Sequence, residues 1–360
     1  MLKETKINER IIDSHLHIEG WKNEESGSFL NAFQIYSEGM DLNGINICAL
    51  NNHARGVANN IMIALHKIVN KGTFAHGALD HIVKPIGKNP EGMDLVTQYR
   101  ELMEIGFDGV KLIEGKPTVL KPLGGTLLSP YLDKVFCEME RDGTHIVFHV
   151  NDPDEFWDEA QAPQWAKENG WFYGDGTYPE FWTVTREIEA ILDKYPKLNV
   201  TFAHFFFYAK YPEKLEAMFA KYENMAIDIT PGGEMFLAFE KNHDFYKEFF
   251  KKYSNRILLG TDATFPWETR HYSWCIERLY NFISKDLVES AFCDSPLTGL
   301  KLEGEDKENI LYKNFERRTG RSTPKKINKE KLLAYYEKYK GLLNEEETRE
   351  LSPLVDKFLR

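Results

Sequence analysis

The chain is poor in cysteine, and the few cysteines it has lie far apart. None of the four forms a CxxC spacing with another: Cys48, Cys137, Cys275 and Cys293. This distribution excludes a disulfide framework and a cysteine-type zinc knuckle, because both need paired or closely spaced cysteines. It is typical of reduced thiols in a cytoplasmic enzyme.

The chain also lacks an excess of positive charge and any long apolar run. Its formal net charge is −11, so no basic surface is expected that could neutralise nucleic-acid phosphates. The apolar run at 200–207 is too short to span a membrane and contains a histidine. The charged N-terminus has no apolar stretch of signal-peptide length. These absences predict a cytoplasmic protein that binds neither nucleic acid nor a membrane.

What the chain does have is a repeated alternation of short β-rich runs and longer amphipathic segments. Hydrophobic residues make up 42% of the sequence, enough for a sizeable core. Eight alternations are the count of a (β/α)8 TIM barrel, of class α/β. The predicted strands are Ile11–His17, Ile45–Leu50, Thr73–Leu79, Gly109–Ile113, Ile146–Val150, Val200–His204, Met225–Ile229 and Ile257–Thr261. The predicted helices include Ile61–Val69, Asp94–Ile105, Tyr131–Arg141, Val184–Lys194, Pro212–Lys221, Phe245–Tyr253 and Tyr272–Ile283.

Two segments fall outside this alternation and define the predicted domain organisation. Residues 1–320 form the barrel domain, and 321–360 form a C-terminal helical extension that docks on the barrel or on a second subunit. Within the barrel, 151–182 is a long aromatic-rich insertion after strand five. Because a loop after a barrel strand emerges at the catalytic rim, we interpret it as an active-site insertion that covers the site. The alternative is that its aromatic side chains pack downward on neighbouring helices.

Metal-type side chains stand at the carboxyl ends of several predicted strands. His15 and His17 alternate along the first strand and therefore project to the same side. His149, His204 and Asp262 end later strands, and barrel enzymes place their chemistry at these ends. Imidazole and carboxylate together suit divalent transition metals. Taken alone, His15 and His17 could equally be a pair of core histidines, and a lone His149 or His204 is more often structural than a ligand. The prediction of one convergent metal site therefore depends on the set.

Asp13 lies deeper in the predicted barrel than the two histidines. It precedes His15 by two residues and therefore shares its face. A buried carboxylate needs a partner, and either a ligand imidazole N–H or a backbone donor would serve.

These residues, in this order, resemble the amidohydrolase superfamily. The run Asp13-Ser14-His15-Leu16-His17, then His149, His204 and Gly260-Thr261-Asp262, matches its pattern on strands one, five, six and eight. The run 309–317 is similar to the closing helix of its amidohydrolase-related branch, also called amidohydrolase 2. The resemblance covers about 11–320 and leaves the C-terminal extension unexplained.

The resemblance implies a set of metal ligands. His15, His17, His149 and Asp262 bind one metal ion, while His204 either binds a second metal or contacts the substrate or the attacking water. Two-metal relatives often bridge their metals with a carboxylated lysine on strand four, where this chain has Lys111 and, three residues later, Glu114. Being three apart, they face opposite sides of an ideal strand. One metal per chain is favoured over two, and zinc over manganese or iron.

The function implied is a metal-dependent hydrolase acting on a small molecule. A metal-bound water would attack an amide, lactone or ester-like bond, with Asp262, His204 and Lys111 as the catalytic residues. The alternative is a decarboxylase, a lyase acting on an aromatic or unsaturated carboxylic acid; a third reading is a silent binding protein on a barrel scaffold. Predicted substrate-binding residues are Glu114, Trp171, Tyr173 and Trp182, with further candidates at Asn51, Asn52, His53, Arg55 and His76. The C-terminal helices are candidate interface material for a homo-oligomer.

Overall fold

The computed structural model describes residues 7, 9–18, 45–51, 56–79, 94–265, 269–288 and 296–360. The predictions for Asn52, His53, Arg55 and Cys293 lie outside the described residues. The main sheet contains nine strands: β1 Ile11–Ile18, β2 Ile45–Leu50, β3 Thr73–Gly77, β4 Gly109–Gly115, β5 His145–Val150, β6 Val200–Phe202, β7 Met225–Asp228, β8 Ile257–Leu258 and β9 Ala263–Phe265. A separate antiparallel pair joins β10 Leu287–Val288 to β11 Leu297–Thr298.

The parallel strands form a closed ring. Strands β1 to β8 pair in chain order, and β9 pairs with β1. Strand β8 pairs with β7, and the backbone N–H of Ser14 in β1 donates to the carbonyl of Leu259, directly after β8, at 2.9 Å. The eighth strand of the predicted barrel is therefore present, but split into β8 and β9. The split occurs because Asp262 adopts a left-handed backbone (φ 56°), which no extended strand accommodates.

Helices follow the strands and surround the ring, which confirms the predicted α/β TIM-barrel class. The α-helices are α1 Val57–Val69, α2 Leu95–Ile105, α3 Pro117–Leu120, α4 Pro130–Asp142, α5 Gln164–Glu168, α6 Phe181–Lys194, α7 Pro212–Lys221, α8 Gly233–Lys241, α9 His243–Lys252, α10 Thr269–Ser284, α11 Gly304–Glu308, α12 Asn314–Thr319, α13 Lys329–Tyr339 and α14 Glu345–Leu359. Within the described ranges, no helix is both long enough and apolar enough to cross a membrane.

The inside of the ring is filled by side chains from the strands and by Phe315 of α12. Its apolar members are Ile12, Cys48, Leu50, Phe74, Val147, Ala203, Ala226, Leu258 and Phe315. His76, a candidate substrate contact, belongs to this interior: it contacts Cys48 Sγ at 2.9 Å and His145 at 3.0 Å, and its ring lies 6.1 Å from that of Phe315. The structure thus places His76 in a buried polar network of the core.

The C-terminal extension packs against helices α1 and α2 of the same chain. Leu332 of α13 and Leu351 of α14 are fully buried, and α14 lies mainly on α1. The Tyr335 hydroxyl contacts Asn60 Nδ2 at 3.2 Å. At the edge of this contact, the Tyr339 hydroxyl donates to Glu101 at 2.8 Å. The extension therefore covers one side of its own barrel.

The aromatic insertion forms a small core of its own. Phe156, Ala166 and Tyr173 are its buried centre, and Trp157, Trp171 and Tyr178 pack around them. The short helical turn Asp154–Trp157 and α5 supply part of its backbone. Most of the aromatic content of the insertion is therefore used for its own packing.

We expect Leu351→Ala to lower the free energy of unfolding by about 2–5 kcal/mol, because it empties a fully buried position between α14 and the barrel. Leu354→Ala, in the same helix but only partly buried, is the control and should cost clearly less. Urea denaturation followed by circular dichroism gives the comparison. Equal effects of the two variants would show that the extension is not anchored through Leu351.

Candidate metal centre

His15, His17 and Asp262 converge at the carboxyl end of the barrel. One potential ligand atom from each lies within 4.8 Å of the other two. The alternation of β1 brings the two imidazoles to one side, and the junction between β8 and β9 brings the carboxylate. There the backbone N–H of Asp262 donates to the carbonyl of His15 at 2.8 Å. Asp262 is thus held beside β1 by the hydrogen bonds that close the ring.

In both imidazoles, Nδ1 lies within hydrogen-bond distance of an oxygen acceptor. His15 Nδ1 lies 2.9 Å from Asp228 Oδ2, and His17 Nδ1 lies 3.1 Å from the carbonyl of Leu50. These partners assign the proton to Nδ1 in each ring and leave Nε2 with a lone pair. The Nε2 atoms lie 3.4 Å and 3.1 Å from Asp262 Oδ1. Three acceptors facing one another fit a cation between them, so this donor set suits a divalent metal.

Asp228, at the end of β7, is a functional residue that the sequence analysis missed. It is fully buried and accepts hydrogen bonds from His15 Nδ1, from the backbone N–H of His204 at 2.8 Å and from that of Thr230 at 3.1 Å. Burial raises the pKa of Asp228, but the positive charge that His15 gains at low pH and the hydrogen bond from His15 Nδ1 outweigh this and lower the pKa to about 2. The only signal in the sequence was a carboxylate inside the apolar run Ile227-Asp228-Ile229.

Asp13 lies beneath the site, as predicted from its spacing. Its carboxylate accepts from the backbone N–H groups of His15 and Thr261, both at 3.1 Å, and from the Thr261 hydroxyl at 2.6 Å. Of the two predicted kinds of partner, it uses the backbone donor. Burial raises the pKa of Asp13 to about 7, although these hydrogen bonds lower it. Asp13 therefore holds the two closing strands together.

Lys111 of β4 lies directly against the histidine pair. Its Nζ is 3.2 Å from His15 Nε2. Burial lowers the pKa of Lys111 to about 8, although Asp262 and Asp228 raise it. Glu114 is also buried, and one of its carboxylate oxygens accepts from the backbone N–H of Ile113 at 2.8 Å. Of Lys111 and Glu114, it is thus Lys111 that reaches the candidate metal-binding group of His15, His17 and Asp262.

His204 and His149 lie beside the group of His15, His17 and Asp262 but do not belong to it. The ring of His204 is 5.4 Å from that of His15, and the ring of His149 is 4.9 Å from that of His204. Burial lowers the pKa of His204 to about 3 and also lowers that of His149. Both imidazoles are therefore neutral at pH 7, as metal ligands and hydrogen-bonding groups must be.

An aromatic side chain from the turn after β6 adjoins these histidines. Residues 204–207 all have positive φ, between 53° and 59°, and form a left-handed turn. This turn stacks the ring of Phe207 on that of His204 at 5.2 Å and brings it within 5.5 Å of His149. Phe207 is half-buried. Sequence analysis gave it no role, because four consecutive left-handed residues are not expected outside glycine.

The predicted substrate-binding aromatics occupy different places. Tyr173 is buried, and its hydroxyl donates to Asp152. Trp171 lies under the ammonium group of Lys116, 4.4 Å from its ring centre. Trp182 lines a groove between α6 and α7, with Lys214 4.7 Å above its ring. These contacts of Trp182 give no support to its predicted role, whereas Tyr173 is linked to the site through Asp152.

Asn51, at the end of β2, takes part in local structure. Its Nδ2 donates to the carbonyl of Gly56 at 2.9 Å and to Asn60 Oδ1 at 2.7 Å. These bonds tie the strand to the start of α1.

Comparison with known proteins identifies a family and a fold. The family model described as "Amidohydrolase" matches residues 12–317. The chain is similar in fold to an uncharacterized TIM-barrel protein from Bordetella bronchiseptica and to a putative amidohydrolase from Staphylococcus aureus. Each is 14% identical to this chain and aligns with a TM-score of 0.53. Each alignment spans 87% of this chain and the whole of the other chain. The IDCase of Metarhizium anisopliae aligns with a TM-score of 0.51 at 14% identity, over 87% of this chain and 97% of that one. No curated protein matches the sequence.

We expect Asp228→Ala to destabilise the protein strongly, because it leaves the buried donors of His15, His204 and Thr230 without their acceptor. Each such donor costs about 1–3 kcal/mol. Asp133→Ala is the control: that carboxylate also accepts two hydrogen bonds, but it is 43% exposed, so its loss should cost less than about 1 kcal/mol. The measurement is thermal unfolding of both variants without added metal. Equal melting temperatures of the two variants would contradict the assignment.

Proposed function

Because this chain belongs to the amidohydrolase family, a family of metal-dependent enzymes, we propose that it is a hydrolase acting on an amide, lactone or ester-like bond of a small molecule. The observation that carries the proposal is the convergence of two imidazole Nε2 lone pairs on the Asp262 carboxylate. A silent binding protein would not need three acceptors held together in this way.

His15, His17 and Asp262 would hold one divalent metal ion, with His149 completing the set. Zinc is the ion that this mixture of imidazole and carboxylate ligands suits best, and manganese or iron would also fit. When bound, such an ion lowers the pKa of water toward 7 and polarises carbonyl oxygens.

Asp262 is the residue we assign to proton transfer. Burial raises the pKa of Asp262, but at low pH protonated His17 donates a hydrogen bond to it, and this bond, with the positive charges that His15 and His204 then carry, holds the pKa well below the ordinary value. Its carboxylate is therefore ionised at neutral pH, and 38% of the side chain is exposed, so a substrate can reach it. It accepts the proton lost by the attacking water and delivers it to the leaving group.

Lys111 and His204 are assigned to the substrate. Lys111, whose Nζ lies 3.2 Å from His15 Nε2, can in its protonated form hold a developing negative oxygen or a substrate carboxylate. His204 is neutral and can donate one hydrogen bond to the carbonyl under attack. Both side chains therefore act by binding and orientation, while Asp262 moves the proton.

A second candidate function is decarboxylation of an aromatic or unsaturated carboxylic acid. Phe207, stacked on His204 and close to His149, offers a ring face against which a flat substrate can lie. In that reaction the bond between the ring carbon and the carboxyl carbon breaks, carbon dioxide leaves, and a proton takes its place. Turnover in ¹⁸O-labelled water separates the two: hydrolysis places one ¹⁸O atom in the organic product, and decarboxylation places none.

We expect the purified protein to carry close to one divalent metal ion per chain. The variant His15→Ala/His17→Ala should lose it, because two of the convergent ligands are gone. The variant His243→Ala should retain it, because the hydrogen bond of His243 to Gly299 and its ion pair with Asp244 involve no residue of the proposed site. Elemental analysis of protein purified without added metal provides the measurement. Equal metal content in wild type and the double variant would refute the site.

We expect Asp262→Asn to keep the fold but to lower kcat by about 10²–10⁴-fold, since positioned acid–base groups contribute this much. Asp286→Asn, which removes only an exposed ion pair with Lys301, should leave kcat unchanged. Turnover is to be measured alongside metal content, so that loss of the ion is distinguished from loss of proton transfer. Near-normal turnover of Asp262→Asn would remove this residue from the mechanism.

A further inference from the structure

Asp152 lies two residues after β5 and connects His149 to the aromatic insertion. The chain turns back at Asn151, whose φ is 64° and whose backbone N–H donates to the carbonyl of Gly115 at 2.9 Å. This turn places the Asp152 carboxylate beside the ring of His149, with Oδ1 3.3 Å from Nε2. Asp152 is itself 4% exposed, so its position is fixed by its partners.

The hydrogen bond to Asp152 determines which nitrogen of His149 carries the proton. A carboxylate only accepts, so Nε2 must donate, and Nδ1 keeps the lone pair. A metal ion is bound by the nitrogen with the lone pair. Without Asp152, neutral His149 would divide between two tautomers, and its ring could turn about its bond to the backbone.

Asp152 is held in turn by two residues outside β5. The hydroxyl of Tyr173, in the insertion, donates to Oδ2 at 2.5 Å, and the ammonium group of Lys116 contacts both carboxylate oxygens at 2.7 and 2.8 Å. The indole of Trp171 lies 4.4 Å from the same ammonium group. The insertion therefore reaches the site through a polar chain that ends at His149.

We infer that Asp152 is a positioning residue that fixes the Nε2–H tautomer and the orientation of His149, and that Tyr173 of the insertion keeps Asp152 in place. The consequence for metal binding rests on the proposed function, because it takes His149 to be a ligand. The tautomer itself does not depend on that function.

The tautomer is tested by NMR of metal-free protein labelled with ¹⁵N-histidine, with the His149 signals identified by their absence in His149→Gln. In wild type we expect the Nε2–H pattern. Asp152→Ala should shift His149 toward a mixture of tautomers, and Asp152→Asn, which keeps an acceptor oxygen, should largely restore the wild-type pattern. An unchanged pattern in a folded Asp152→Ala variant would overturn the inference.

Tyr173→Phe tests the second part and removes only one hydroxyl. We expect a smaller displacement of the His149 signals than in Asp152→Ala. The matched control is Tyr195→Phe, which removes a tyrosine–aspartate hydrogen bond of 2.8 Å between the end of α6 and Asp133 of α4 and should leave these signals in place. If Asp152→Ala does not fold, Tyr173→Phe decides alone, and identical spectra for it and wild type would overturn the inference.

Zinc affinity, measured by competition with a chelator, gives the link to the metal. We expect Asp152→Ala to bind zinc about 10–100-fold more weakly than wild type, and Tyr195→Phe to bind it equally well. If wild type itself binds no zinc, the proposed function fails while the NMR result on His149 still stands or falls by itself. If the tautomer changes but zinc affinity does not, the consequence for metal binding is refuted.

Discussion

The pair of hydrogen bonds from Thr261 and Asp262 to the carbonyl of His15 is the constraint on which the site depends. The same bonds close the ring between the first and last strands and fix the carboxylate of Asp262 beside two imidazoles. Asp262 can occupy this position only because its backbone turns left-handed there, a conformation that aspartate tolerates better than most residues. The hydrogen bonds that close the barrel therefore also bring the candidate metal ligands together.

Two equally buried carboxylates next to His15 show how partners, and not burial alone, determine charge. Asp228 faces the imidazole of His15, and its pKa falls to about 2, so it stays ionised and fixes the Nδ1 proton of that ring. Asp13 faces neutral backbone donors and a hydroxyl, and its pKa rises to about 7. The negative charge of Asp228 thus faces Nδ1 of His15 and holds the proton there. This leaves the lone pair on Nε2, where it can bind a cation. Asp13, whose burial makes the charged form costly, is about half protonated at pH 7.

The sequence predicted what depends on periodicity and order, and missed what depends on local backbone geometry. Strand ends bearing His15, His17 and Asp262 could be found because alternation and the βα rhythm survive in a single sequence. Asp228 was missed because one carboxylate in a short apolar strand is not distinguished from a structural one. The split of the eighth strand and the position of Phe207 depend on positive φ at residues other than glycine. A residue pattern does not predict such backbone conformations.

The left-handed turn at 204–207 brings the aromatic side chain of Phe207 to the site from the segment directly after β6. Such a conformation costs roughly 1–2 kcal/mol per residue, so the turn must be held by its surroundings. Phe205 and Phe206 are fully buried, and burying a phenylalanine side chain contributes about 1.5–3 kcal/mol. The backbone N–H of His204 also donates to Asp228, which ties the turn to the carboxylate that orients His15. Two buried rings and one charged hydrogen bond together offset strain of the same order, and they leave the third ring, that of Phe207, against His204 and His149. Among the described residues, Phe156, Trp157, Trp171, Tyr173 and Tyr178 of the insertion pack in a separate core, and the Tyr173 hydroxyl donates to Asp152 beside His149. The ring of Phe207 and the polar contacts of Asp152 therefore come from different parts of the chain.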